Sequence, residues 1–353
     1  MQRPSIQKFL NNKYLAFCAA GMFLLVSILL GVSIGTVTVP ITAIIKIITA
    51  KIFGFISLRG IDSMNITIVM DIRLPRVILS GLVGAALAIA GAAFQGLLKN
   101  PLADPYTLGV SSGASVGAVL TLFFQLSVPF IGSFTLPVLS ILFSFLSIFS
   151  VLAFARKIDR TMRVETIILT GIIFSSFLGA LISLMIALTG DELRQIIGWL
   201  LGSVSMRGWE YIKIILPFFI IGSLMLIANA KELNAMSFGE DRAHHLGVDV
   251  QKRKLMILTA GSILTGAAVA VSGTIGFVGL VIPHLARLLW GPDHRFLLPL
   301  SILTGSGFLI LTDLISRTII SPTELPIGVI TALIGAPVFG LILLKRKRME
   351  RSG

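Results

Sequence analysis

The sequence predicts an all-α integral membrane protein of about ten transmembrane helices, with an inverted internal repeat and both termini in the cytoplasm. Three observations predict it: the composition, the spacing of the apolar runs, and one small-residue motif that returns near half the chain's length. The 353 residues are 55% hydrophobic and 13% charged, with a mean hydropathy of +0.97. A soluble domain of this length needs more charge to coat its outside. Ten helices of ~20 residues use roughly 200 positions, leaving loops but no second globular domain, so 1–353 reads as a single transmembrane domain.

The apolar runs fall at 15–36, 75–98, 106–126, 134–155, 166–188, 211–230, 254–273, 276–290, 296–316 and 326–344. The N-terminus carries Arg3, Lys8 and Lys13 before the first run, which resembles a signal peptide, but Leu15 to Val37 is long enough to span and reads as a retained helix. Segment 40–57 carries Lys46 and Lys51 and reads as an interfacial or re-entrant piece. Stretch 191–203 reads as a short surface helix. Run 276–290 is short and starts inside the membrane after a break at Gly273 to Gly276. With the termini inside, 20 of the 29 Lys and Arg residues lie on inner segments and 9 on outer ones, the bias expected of cytoplasmic loops.

The net charge of +13 sits in short groups between apolar runs. That is the placement of residues that set topology beside anionic lipid, not of a nucleic-acid surface. Cys18 is the sole cysteine, which excludes an intrachain disulfide and a thiolate cluster; it reads as a small core residue.

The repeat pairs Gly84-Ala85-Ala86-Leu87-Ala88-Ile89-Ala90-Gly91 with Gly266-Ala267-Ala268-Val269-Ala270-Val271-Ser272-Gly273. Pro101 and Pro283 each follow ten residues after the last glycine, and the offset is 182 residues. The copies open spans two to five and seven to ten and run in opposite directions, an arrangement common in transporters. Gly109, Gly113 and Gly117 share one helix face and read as a packing stripe.

Chemistry-bearing motifs are scarce. The chain has no phosphate-cradling loop, no catalytic or metal-ligating constellation, and its adjacent histidines, His244 and His245, point two ways on a helix. The spans are nearly free of charge. Asp313 is the exception; it reads as a local partner of Arg317, one helical turn on, with an ion-coupling site the alternative. Energy for any transport is therefore expected from a partner.

Two surfaces stand out. Ser237 to Val248 forms a short polar helix, acids Glu240 and Asp241 first and Gly247 last, with Phe238, Ala243 and Leu246 as an apolar edge. It reads equally as a docking helix or a plain amphipathic linker. On the expected outer side, Arg73 and Arg76 face the positive end of a helix dipole and break the positive-inside trend, so something must compensate them: a local acid such as Asp71, a lipid phosphate or acids on a partner.

Taken together, Arg73-Leu74-Pro75-Arg76, Gly84 to Ala88, Asn100-Pro101-Leu102-Ala103-Asp104-Pro105 with Leu108-Gly109-Val110, Gly239-Glu240 through Leu246-Gly247, Gly276 to His284, Asp293-His294-Arg295, Glu324 to Val329 and Gly335 to Phe339 resemble the iron-siderophore, haem and cobalamin permeases of type II ABC importers. The motifs run in family order over nearly the whole chain. The resemblance implies ten helices in a bacterial cytoplasmic (inner) membrane, a homodimer or heterodimer with a second permease subunit, and two ATP-binding subunits. ATP and Mg bind those partners, and this chain holds no cofactor. The resemblance implies that Gly239, Glu240, Arg242, Ala243, His244, Leu246 and Gly247 couple to the ATPase. It implies that Arg73, Arg76 and Arg317 meet acids of an extracytoplasmic substrate-binding protein, and that the cytoplasmic gate lies near Val164 and Glu165. The implied substrate is a ferric siderophore, with haem or cobalamin as alternatives. An ion-coupled carrier is the alternative from another class.

Overall fold

The computed structural model describes residues 13–35, 37–53, 61–129 and 131–351. Arg3, Lys8 and the last four residues of the 40–57 segment lie outside them. Within them the chain is all helical: α1 Lys13–Ser33, α2 Ile41–Phe53, α3 Ser63–Leu97, α4 Val110–Phe123, α5 Thr135–Ile158, α6 Val164–Leu188, α7 Leu193–Leu200, α8 Trp209–Ala228, α9 Ala230–Ser237, α10 Glu240–His245, α11 Val250–Ser272, α12 Val278–Trp290, α13 His294–Thr318 and α14 Ile327–Arg351. Seven of these (α1, α3, α5, α6, α8, α11 and α13) are long and apolar enough to cross a membrane, and α4, α12 and Ile327–Ile342 of α14 are shorter apolar helices.

Helix α3 departs most from the sequence expectation. Pro75 was the natural helix start, yet the helix begins twelve residues earlier, at Ser63. Residues Ile68–Arg73 form a π-turn, and Leu74 N–H reaches back to the Val69 carbonyl. The wider turn shifts the hydrogen-bond register just before the proline, so its missing N–H does not end the helix.

Helices α3 and α11, which carry the two repeat copies, form the buried centre. Helix α3 packs on α13, and α11 on α5; α4 packs on α5 and α6, and α12 on α13 and α14. Each of these contacts has its counterpart in the other repeat. Small residues set these distances. A Cβ on Gly91 would lie 1.9 Å from the Gly279 carbonyl oxygen, so α3 and α12 touch backbone to backbone there. The glycine stripe packs on α5: Cβ atoms on Gly113 and Gly117 would come within 2.5 Å of Ser147 and Leu139. Cys18, expected in the core, is exposed on α1.

The break between α11 and α12 is satisfied inside the protein, the condition for irregular backbone at membrane depth. The Tyr106 hydroxyl donates to the Ile275 carbonyl at 2.9 Å and accepts from its N–H at 2.8 Å. Thr274 donates to the Leu200 carbonyl, and Ser203 N–H to that of Ser272 at 2.7 Å. Leu200 belongs to the short helix α7, which buries Ile196 and Trp199 rather than lying free.

Candidate functional site

Helices α3 and α13 run antiparallel, and this separates two functional ends. Arg76 of α3 meets Asp313 of α13 at one end, and Gly96 meets His294 at the other. Twenty helical residues span ~30 Å.

At the first end, Arg76 is held on both sides. Its guanidinium lies 2.9 Å from Asp313 and 2.7 Å from Glu324. Arg317 lies 3.8 Å from Asp313 and donates to the Gly31 carbonyl of α1. Arg73 donates to the carbonyls of Val32 and Ser33 at 2.9 Å, and to that of Val37. Arg73, Arg76 and Arg317 are 4%, 8% and 9% exposed, and Asp313 is 1% exposed. The Asp313–Arg317 pair expected one helical turn apart is present, and Asp313 lies closer still to Arg76 across the α3–α13 contact. The compensation for the arginines is internal: buried cations need partners in place, and these three find them in α1, α13 and the 319–326 loop instead of reaching outward. Glu324 is the accessible member, with 37% of its side chain exposed. Burial works against its charge, but hydrogen bonds from Arg76 and Ser205 and the charges of Arg76 and Arg317 outweigh it and keep its pKa below the usual carboxylate range.

At the second end, two glycines with positive φ flank the helical turn of the 237–247 segment. Gly239 has φ +125° and Gly247 φ +83°, flanking α10. The positive φ at Gly239 turns the chain out of α9 and into α10, a conformation open to glycine. Its apolar edge splits. Ala243 is fully buried, whereas Phe238 and Leu246 are 69% and 70% exposed. Arg242, His244 and His245 are exposed as well. A groove of about 520 Å³ opens beside α10, lined by Glu240, Asp241, His244 and residues 247–251.

The scaffold beneath this segment is tied down by side chains. Arg253 donates to Asn229 at 2.9 Å and pairs with Glu232 at 3.2 Å. Asn234 donates to Asp293 at 2.7 Å and accepts from His294 N–H at 2.9 Å. Asp293 is held well below the usual carboxylate range, chiefly by its hydrogen bonds from Arg295. The Asp293-His294-Arg295 motif thus anchors α9 to the start of α13 through Asn234. Val164 is half-buried and Glu165 exposed, at the first turn of α6.

A bundle with seven helices long and apolar enough to cross a membrane, carrying an exposed helical segment on a braced end, is that of a multi-pass membrane protein. The comparisons give the family. The FecCD transport family matches residues 23–345. The chain is 63% identical over 342 residues, 97% of each chain, to the uncharacterized ABC transporter permease protein YvrB of Bacillus subtilis strain 168. It is 42% identical over 288 residues, 82% of this chain and 76% of the relative, to the cobalamin import system permease protein BtuC of Halobacterium salinarum. A solved structure described as an inward-facing conformation of a metal-chelate type ABC transporter matches with TM-score 0.81 and 33% identity, over 94% of this chain and 99% of that one. The chain belongs to the FecCD transport family.

Proposed function

We propose that this protein translocates a metal chelate inward across the bacterial cytoplasmic membrane, as one of two permease subunits driven by two ATP-binding partners. The observation that carries this is the 237–247 segment, with Phe238 and Leu246 presented outward from a braced scaffold. An exposed apolar pair on a polar helix is a surface for another protein. In this reading Gly239, Glu240, Arg242, Ala243, His244, Leu246 and Gly247 form the coupling element, with Ala243 fixing it to the bundle from below. Ten spans place both termini in the cytoplasm. The outward apolar face of α6, including Leu169, Ile172, Ile173 and Phe177, meets lipid or the second permease subunit.

A substrate-binding protein docks at the opposite end. Arg73, Arg76 and Arg317 serve that docking from behind, by holding the end of α1, Val37 and the 319–326 loop in place, while Glu324 lies nearer the surface. Val164 and Glu165 stand at the inner mouth.

The substrate is a ferric siderophore in this reading. Similarity to a metal-chelate type transporter supports the chelate class, and the 42% identity to a cobalamin permease favours cobalamin as the second reading. The test is uptake in cells with and without the gene, offering radiolabelled ferric siderophores, haem and cobalamin in parallel, with vanadate. Gene-dependent, vanadate-sensitive uptake of one ferric complex is the expected result. Cobalamin or haem uptake replaces the substrate and keeps the machinery. Uptake that ignores vanadate but collapses with an uncoupler overturns the partner-ATPase reading.

A further inference from the structure

Lys254, the fifth residue of α11, is 1% exposed. A buried ammonium is costly unless paired and hydrogen-bonded, and Lys254 has two partners from two other parts of the chain. Its Nζ lies 2.8 Å from the Glu240 carboxylate at the start of α10 and donates to the Met162 carbonyl at 2.9 Å. Met162 belongs to the turn that leads into α6 at Val164.

That turn is built as a unit. The Asp159 carboxylate accepts from Thr161 N–H at 2.9 Å, from the Thr161 hydroxyl at 2.6 Å and from Arg163 N–H at 3.2 Å. These bonds hold Asp159 well below the usual carboxylate range, the Thr161 hydroxyl and Arg163 side chain contributing most. Met162 itself has φ +49°. Gln251, three residues before Lys254 and so on the same helix face, donates to the Thr161 carbonyl at 2.5 Å. Two successive carbonyls of the turn are thus held by the start of α11, and one of the two holding side chains also grips α10.

We infer that Lys254 is a positioning residue that joins the 237–247 segment to the 159–163 turn, so that displacement of α10 reaches the first turn of α6 through one buried ammonium. Glu240 is half-exposed and lines the groove beside α10, where a docked partner can draw it away. Losing that carboxylate leaves Lys254 with a lone carbonyl, so the turn and α10 loosen together. This rests on the importer reading for its purpose but not for its geometry, and the experiment separates the two.

The test is hydrogen exchange on the full chain assembled with its ATPase partners, comparing the nucleotide-free and ADP-vanadate states. In the wild type, exchange changes at both 240–246 and 160–165. In Lys254→Met the change at 240–246 persists and that at 160–165 is lost, and substrate carried per ATP falls about tenfold, the size of a moderate coupling between sites. A response at 160–165 that survives in Lys254→Met overturns the proposal. Should Lys254→Met fail to assemble, Glu240→Gln replaces it, because its half-exposed side chain leaves packing intact. Should the wild type show no ATPase association, the importer reading fails, and Glu240→Gln is read on the chain alone. Exchange at 160–165 about tenfold faster, as for the loss of a charge-assisted bond, supports the joint; a change confined to 240–246 overturns it.

Discussion

The two ends of the bundle solve opposite problems with similar residues. At the Arg76 end, three arginines and two acids gather where α1, α3, α13 and the 319–326 loop converge, and the cations are turned inward. At the Lys254 end, the charged layer lies beneath a segment that leaves two large apolar side chains in the open. The first arrangement closes a structure; the second leaves one unfinished. Out-of-trend charge therefore marks the lock, and exposed apolar side chains mark the end left open.

The largest expected effect is at the lock. Asp313→Ala removes the carboxylate shared by Arg76 and Arg317 and leaves two buried cations short of a partner. Breaking a buried pair from one side destabilises by about 3–5 kcal/mol. The folded fraction extracted from membranes, read by size exclusion, is expected to fall severely. Retention of wild-type yield and unfolding temperature breaks the comparison.

At the other end the same size of change has another readout. Leu246→Asp, at an exposed position, leaves the chain folded, within ±0.5 kcal/mol as for ordinary surface substitutions. Co-purification of the ATP-binding partner is expected to fall about thirtyfold, the effect of removing a contact of about 2 kcal/mol. A folded variant that keeps its ATPase means that Leu246 faces lipid or solvent only. Gly239→Ala has a smaller effect. Its φ of +125° is strained for any L side chain by about 1–3 kcal/mol, spread over a segment able to shift. About a fivefold loss of ATPase retention is expected, with the bundle intact.

The sequence made the bundle legible because its signals are local. Apolar runs and caps placed most helix ends within a few residues, and the break at Gly273 to Gly276 was visible as glycine ahead of a short run. The start of α3 was hidden, since a π-turn before a proline has no compositional mark. The arginine cluster was half legible. Arg73 and Arg76 announced that compensation was needed, but Asp313 lies 237 residues from Arg76 and the carbonyls of α1 carry no side-chain signal at all. Lys254 was invisible for the same reason: it sits among loop lysines and arginines, and its burial depends on two segments distant in sequence. The 237–247 segment was legible as a polar helix with an apolar edge, although Ala243 turned inward and only Phe238 and Leu246 stayed out.

The smallest expected effect concerns the turn that Lys254 holds. Asp159 is kept ionised by the Thr161 hydroxyl first and the Arg163 side chain second. Because its folded pKa lies below the ordinary carboxylate value of about 3.9, its contribution is present above that value and is lost as pH falls below it. At neutral pH, Arg163→Ala leaves the Thr161 bonds and both tethers to α11 in place, so exchange across 159–163 is expected to match the wild type. The difference appears on acidification, where the variant's carboxyl protonates sooner and the turn opens at a higher pH. A turn that opens in Arg163→Ala at pH 7 would mean that the arginine, and not the grip from α11, holds it. The Lys254 end would then be braced at its surface and not from within.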